Sequence, residues 1–158
     1  MNNLRKFIIG ALVLLSGSVA APAQSHSSGR LQGTWDVLVK PRLCADNSVI
    51  TSFQATYYFE PGGNFSGVSS GTGSGGRGRE QLGIWKHVEG DKYRFKIKTF
   101  LFDAAGVATS YQIVTHDAQL APDGLSWSST GISKTFSLAH VEINAGCSTI
   151  EAKRVDTP

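Results

Sequence analysis

Residues 93–101 read Tyr-Arg-Phe-Lys-Ile-Lys-Thr-Phe-Leu. Tyr93, Phe95, Ile97, Thr99 and Leu101 alternate with Arg94, Lys96 and Lys98. A period of two sends successive side chains to opposite faces of an extended chain. One face is therefore apolar and the other cationic, as in a strand with a core on one side and water on the other.

The same pattern repeats in both directions. Upstream, Glu89-Gly90-Asp91-Lys92 makes a turn, and residues 81–88 form a strand carrying Trp85. Within 52–60, Phe53, Ala55, Tyr57 and Phe59 alternate with Gln54, Thr56, Tyr58 and Glu60. Pro61-Gly62-Gly63-Asn64 is a tight turn, because proline fixes φ and glycine accepts positive φ. Residues 64–70 return with Phe65 and Val68. The first run, 33–40, aligns Trp35, Val37 and Val39 on one face and stops at Pro41. Downstream, Asp103-Ala104-Ala105-Gly106 turns the chain into a strand over 107–120, and Pro122-Asp123-Gly124 turns it again. Residues 125–139 are rich in Ser and Thr and include Trp127; their weak alternation fits a bulge near Gly131. The last strand spans 147–155. Gly71 to Arg79 is too rich in glycine to pack a core and reads as a mobile loop.

About eight strands joined mostly by short turns predict an all-β, closed, antiparallel up-and-down barrel. The two cysteines support closure. Cys44 follows the first strand and Cys147 begins the last. In an even-stranded meander those points lie at one end, and closure makes the first and last strands neighbours. A disulfide needs Cα atoms within about 7 Å. The loop it would close is about 100 residues, which in the chain-entropy model stabilises by at most about 4–5 kcal/mol. Two free buried thiols are the alternative.

The N-terminus reads differently. Arg5 and Lys6 precede an apolar run from Phe7 to Leu15 and then small residues with Ala21-x-Ala23 spacing. That order matches a secretory signal peptide over 1–23; the apolar run is about half the length of a membrane-spanning helix. Residues 24–32 read as a flexible lead-in and 33–155 as one domain. Export, periplasmic or extracellular, places the cysteines in an oxidising compartment. Of fifteen basic residues against twelve acidic, two leave with the leader. The net charge is then about +1, which gives no reason to expect nucleic acid as a partner.

Gly33-Thr34-Trp35 resembles the Gly-x-Trp signature opening the first strand of lipocalins and related calycin barrels. Tyr57-Tyr58-Phe59-Glu60-Pro61-Gly62-Gly63, Gly83-Ile84-Trp85 and Asp103-Ala104-Ala105-Gly106-Val107 extend the likeness to small exported bacterial lipocalin-like proteins. It covers roughly 33–155. Other lipocalin blocks and the usual helix before the last strand are missing. The resemblance implies a barrel and a generic ligand-carrying role.

No catalytic set stands out. His26, His87, His116 and His140 lack metal-ligand spacing, and there is no Gly-x-Ser-x-Gly elbow. His116 and Asp117, adjacent on a strand, face opposite ways and cannot pair. The glycine-rich loop lacks a P-loop ending, although Arg77 and Arg79 could meet an anion at the barrel mouth. Lys92, Arg94, Lys96 and Lys98 either bind polyanions or simply solvate an outer face. The inner face gathers Trp35, Tyr57, Phe59, Phe65, Trp85, Tyr93 and Phe95 beside small Ala55, Gly67 and Gly83. That set either fills the barrel or walls a cavity. The expectation is a non-enzymatic barrel, with no cofactor or metal, that binds a small hydrophobic or aromatic ligand through those seven residues. The alternative partner is an exported protein, bound or inhibited through the loops. Chemistry inside the barrel would require a polar constellation there.

Overall fold

The computed structural model describes residues 29–70 and 79–155. The expected leader, the start of the lead-in and nearly all of the glycine-rich loop lie outside the described residues. Eight strands follow in order: β1 (Gly33–Arg42), β2 (Phe53–Phe59), β3 (Asn64–Ser69), β4 (Arg79–Glu89), β5 (Lys92–Phe102), β6 (Ala108–Leu120), β7 (Ser126–Ser137) and β8 (Glu142–Arg154). Each pairs antiparallel with the next, and β1 pairs with β8, so the sheet is a closed barrel. Closure leaves no unpaired edge to template aggregation.

Along the seam, Trp35 faces Arg154 at one end and Arg42 faces Cys147 at the other. Cys44 and Cys147 form a disulfide with Cα atoms 5.1 Å apart. Cys147 lies inside β8, not at its start, because β8 begins at Glu142. The end holding the disulfide also carries the 43–52 segment and the turns after β5 and β7. We call it the mouth.

The opposite end is shut by aromatic rings. Phe59 is fully buried and meets Phe65, Trp85, Phe95 and Trp127 edge-on at centroid distances of 5.2–5.9 Å. Such pairs contribute about 0.5–1.5 kcal/mol each beyond the area they bury. Trp35 packs edge-on against Trp127 and donates its indole N–H to the Leu31 carbonyl at 2.9 Å. The Arg154 guanidinium lies 4.2 Å from the Trp35 ring centroid and donates to the carbonyls of Arg30, Gln32 and Gly124. Arg30 in turn pairs with Asp91. The flexible lead-in expected over 24–32 is thus corrected at its end. Residues 29–32 form a cap, because the fully buried Leu31 plugs the barrel.

The basic stripe faces outward. Lys92 pairs with Glu89, Arg94 grips both carboxylate oxygens of Asp117, and Lys98 sits over the rings of Phe100 and Tyr111. The bulge expected near Gly131 is absent: β6 and β7 pair without a break from Ser110–Ser137 to Leu120–Trp127. Gly131 is needed for a different reason. A Cβ there would fall 2.3 Å from the Thr115 carbonyl oxygen and 2.5 Å from the His116 ring.

Candidate functional site: a cavity in the mouth-side half of the barrel

The inner face changes chemistry along the barrel axis. Below the middle it is aromatic. Above, the strands turn Gln81, Thr99, Gln112, His116, Ser133 and Ser148 inward, together with Val39, Phe53, Ile97, Val114 and Ile150. These residues and Tyr57 surround a cavity of about 120 Å³, room for ordered water or one small molecule. Pairing register builds the polar wall. Thr99 lies opposite Gln112, and Gln112 opposite Thr135. One layer deeper, Phe95, His116, Gly131 and Ser148 follow one another across β5 to β8.

His116 is almost wholly buried. Its Nδ1 lies 2.8 Å from the Ser129 hydroxyl and its Nε2 3.0 Å from the Ser148 hydroxyl. Its ring stacks on Phe95 at 5.2 Å. Burial pushes the imidazole down to about 4, with Asp117 on the outer face offsetting this in part. The ring is therefore neutral near pH 7. One nitrogen donates to a serine and the other accepts from a serine.

Three polar side chains lining the cavity, those of Tyr57, Gln81 and Ser133, have no hydrogen-bond partner among the described residues. Tyr57 is 3% exposed, and its hydroxyl has no hydrogen-bond partner among the described residues. Burial pushes its phenol up, so it stays protonated and remains a donor. Gln81 is 7% exposed, and its side-chain amide is likewise unpartnered among the described residues. The Thr99 hydroxyl, by contrast, donates to the Glu80 carbonyl, and the Gln112 amide reaches Thr135. Among the described residues, no lining side chain carries a formal charge at neutral pH.

Of the seven aromatic residues expected to bind a ligand, Tyr57 lines this cavity. Phe95 supports its floor through His116. Trp35, Phe59, Phe65, Trp85 and Tyr93 pack among the other rings and the cap at the closed end. The small residues beside them leave no void at that level. A Cβ on Gly67 would strike the Tyr57 ring at 2.8 Å, and one on Gly83 the Lys96 carbonyl oxygen at 2.0 Å. Gln81, Thr99, Gln112, His116 and Ser148 were not anticipated. Their signal is present in the sequence as polar residues at inward-facing positions of β4 to β8.

Neither His87 nor His140 joins the site. His87 bonds the Gly90 carbonyl, His140 bonds the Tyr111 hydroxyl, and His26 lies outside the described residues. Among the described residues no three His, Cys, Asp or Glu side chains cluster as a metal site would require. A broader depression of about 680 Å³ runs over outward-facing Asp36, Leu38, Glu151 and Lys153. It is open to water, and two of its carboxylates are already paired, Glu151 with Lys40 and Asp91 with Arg30.

No protein-family model matches the chain, and no curated protein matches it. Solved structures similar in fold include two barrels. One is a redesigned β-barrel, b11L5F_LGL, with a TM-score of 0.53, 18% identity, and coverage of 81% of this chain and 94% of that one. The other is EF1p2_mFAP2b bound to DFHBI, with a TM-score of 0.54, 18% identity, and coverage of 80% and 94%. At that identity the likeness shows the shared closed-barrel fold.

Proposed function

We propose that this chain is an exported, lipocalin-like binding protein that holds one small molecule in the mouth-side cavity without covalent chemistry. The observation that carries this reading is a cavity at the mouth-side half of the barrel into which Tyr57 and Gln81 turn side chains that have no hydrogen-bond partner among the described residues. A bound molecule would supply those partners. Binding of DFHBI by a barrel of the same fold is consistent with such a role. The Gly-Thr-Trp start, the disulfide and the leader-like N-terminus favour export and the lipocalin-like assignment.

Binding is preferred over catalysis because of His116. It meets Ser148 at 3.0 Å, the spacing of a nucleophile and its base. Burial leaves the imidazole a weak base, and its second nitrogen meets a hydroxyl where a carboxylate would normally orient it. A serine-directed organophosphate should therefore leave the protein mass unchanged. The binding reading is tested by intrinsic tryptophan fluorescence and thermal shift against a panel of small aromatic and aliphatic molecules. Saturable binding is expected; a silent panel would refute it.

A second reading, docking on an exported protein through the loops, draws on the mouth rim. Leu43, Val49, Ile50, Val107, Val141 and Ile143 are each at least half exposed there. Replacing Ile50 and Ile143 with Lys should abolish capture of a partner if this reading holds, and should leave small-molecule binding intact.

A further inference from the structure

We infer that the molecule held in the cavity is uncharged, with an apolar body and a polar group that bonds both the Tyr57 hydroxyl and the Gln81 amide. The inference rests on the small-molecule reading above and names its chemical class.

Three observations converge. First, Tyr57 and Gln81 stand on β2 and β4 with Gly67 of β3 between them in register. Gly67 has no side chain, and the Tyr57 ring lies over it, so Tyr57 and Gln81 are neighbours across β3 in the lining of one cavity. One polar group of a ligand is the inferred partner of both. The Tyr57 hydroxyl can donate and accept, and the Gln81 amide offers two N–H donors and an acceptor oxygen. A neutral carboxamide or alcohol complements them.

Second, among the described residues no lining side chain balances a charge. Its polar lining consists of Tyr57, the two glutamines, hydroxyls and a neutral imidazole whose nitrogens both already face serines. A carboxylate or ammonium entering there would lose hydration without a counter-charge, a cost far above that of a neutral polar group. Arg79, at the rim where β4 begins, is not among the lining residues.

Third, part of the wall is apolar. Val39, Ile97, Val114 and Ile150 face the cavity, with Phe95 and His116 stacked at its floor. A polar head held by Tyr57 and Gln81 would leave its hydrocarbon portion against these residues.

Four probes of similar size test the proposal by titration calorimetry: benzamide, benzoate, benzylamine and toluene. Benzamide should bind at least about tenfold more tightly than benzoate or benzylamine. Tyr57→Phe should weaken benzamide about five- to tenfold, the effect of one net hydrogen bond, and leave toluene unchanged. Gln81→Leu should act the same way, which guards against a Tyr57 variant that repacks. Benzoate or benzylamine binding as tightly as benzamide would overturn the inference. So would benzamide affinity that neither substitution alters, or binding of toluene alone, and in that last case the small-molecule reading survives. If none of the four probes binds, the small-molecule reading itself falls.

Discussion

His116 shows how a single side chain couples the cavity to the stability of the barrel. Buried and held between Ser129 and Ser148, it resists protonation in the native state down to about pH 4. In the unfolded chain the same imidazole takes a proton near pH 6.5. Between those values the unfolded state binds the extra proton, so stability is full above about 6.5 and falls as the pH drops toward 4. The loss should reach about 3 kcal/mol. Urea unfolding at pH 7 and pH 4 measures it, and His116→Gln, which keeps hydrogen-bonding capacity but cannot titrate, should remove that part of the slope. Gly131 belongs to the same constellation, since its missing side chain is the space the His116 ring occupies. Gly131→Ala should cost at least about 2 kcal/mol by overpacking, read as a lower urea midpoint. In the sequence this glycine stood out only as an interruption. The periodicity of β7 registers that a residue is small but not which ring from β6 passes over it.

At the level of elements, strands were legible wherever one face is apolar. β2 and β5 alternate cleanly because each rests on the aromatic half of the core. β6 and β7 alternate poorly because several of their inward positions are the Ser, Thr, Gln and His of the cavity wall. The feature that blurred those strands is therefore the candidate site itself. The first residues of β8, from Glu142 to Ala145, went unread because they are exposed on both faces and carry no burial signal. The cap was also hidden. A short segment holding one apolar residue, Leu31, has no period to detect. Its contribution should be large for its size: Leu31→Ala removes a fully buried side chain and should cost about 2–5 kcal/mol. Thermal unfolding of that variant checks the figure, and a loss below 1 kcal/mol would mean the barrel end closes without it.

For the molecule as a whole, closure rests on main-chain pairing along β1 and β8, and the disulfide pins that seam at the mouth. Replacing Cys44 and Cys147 with Ala should lower stability by up to about 4–5 kcal/mol, the chain-entropy figure for a loop of this length. The β-sheet circular dichroism of the folded state should persist. A variant that loses this spectrum under native conditions would show that the ladder alone cannot hold the ring. The seam has a further consequence. Trp35 and Arg154 face each other at the capped end, so the polypeptide enters and leaves the domain at neighbouring points, both on the side away from the opening. A fusion partner, surface or tether attached at either point would stand behind the barrel. The cup would then face away from the attachment, whichever terminus carried it.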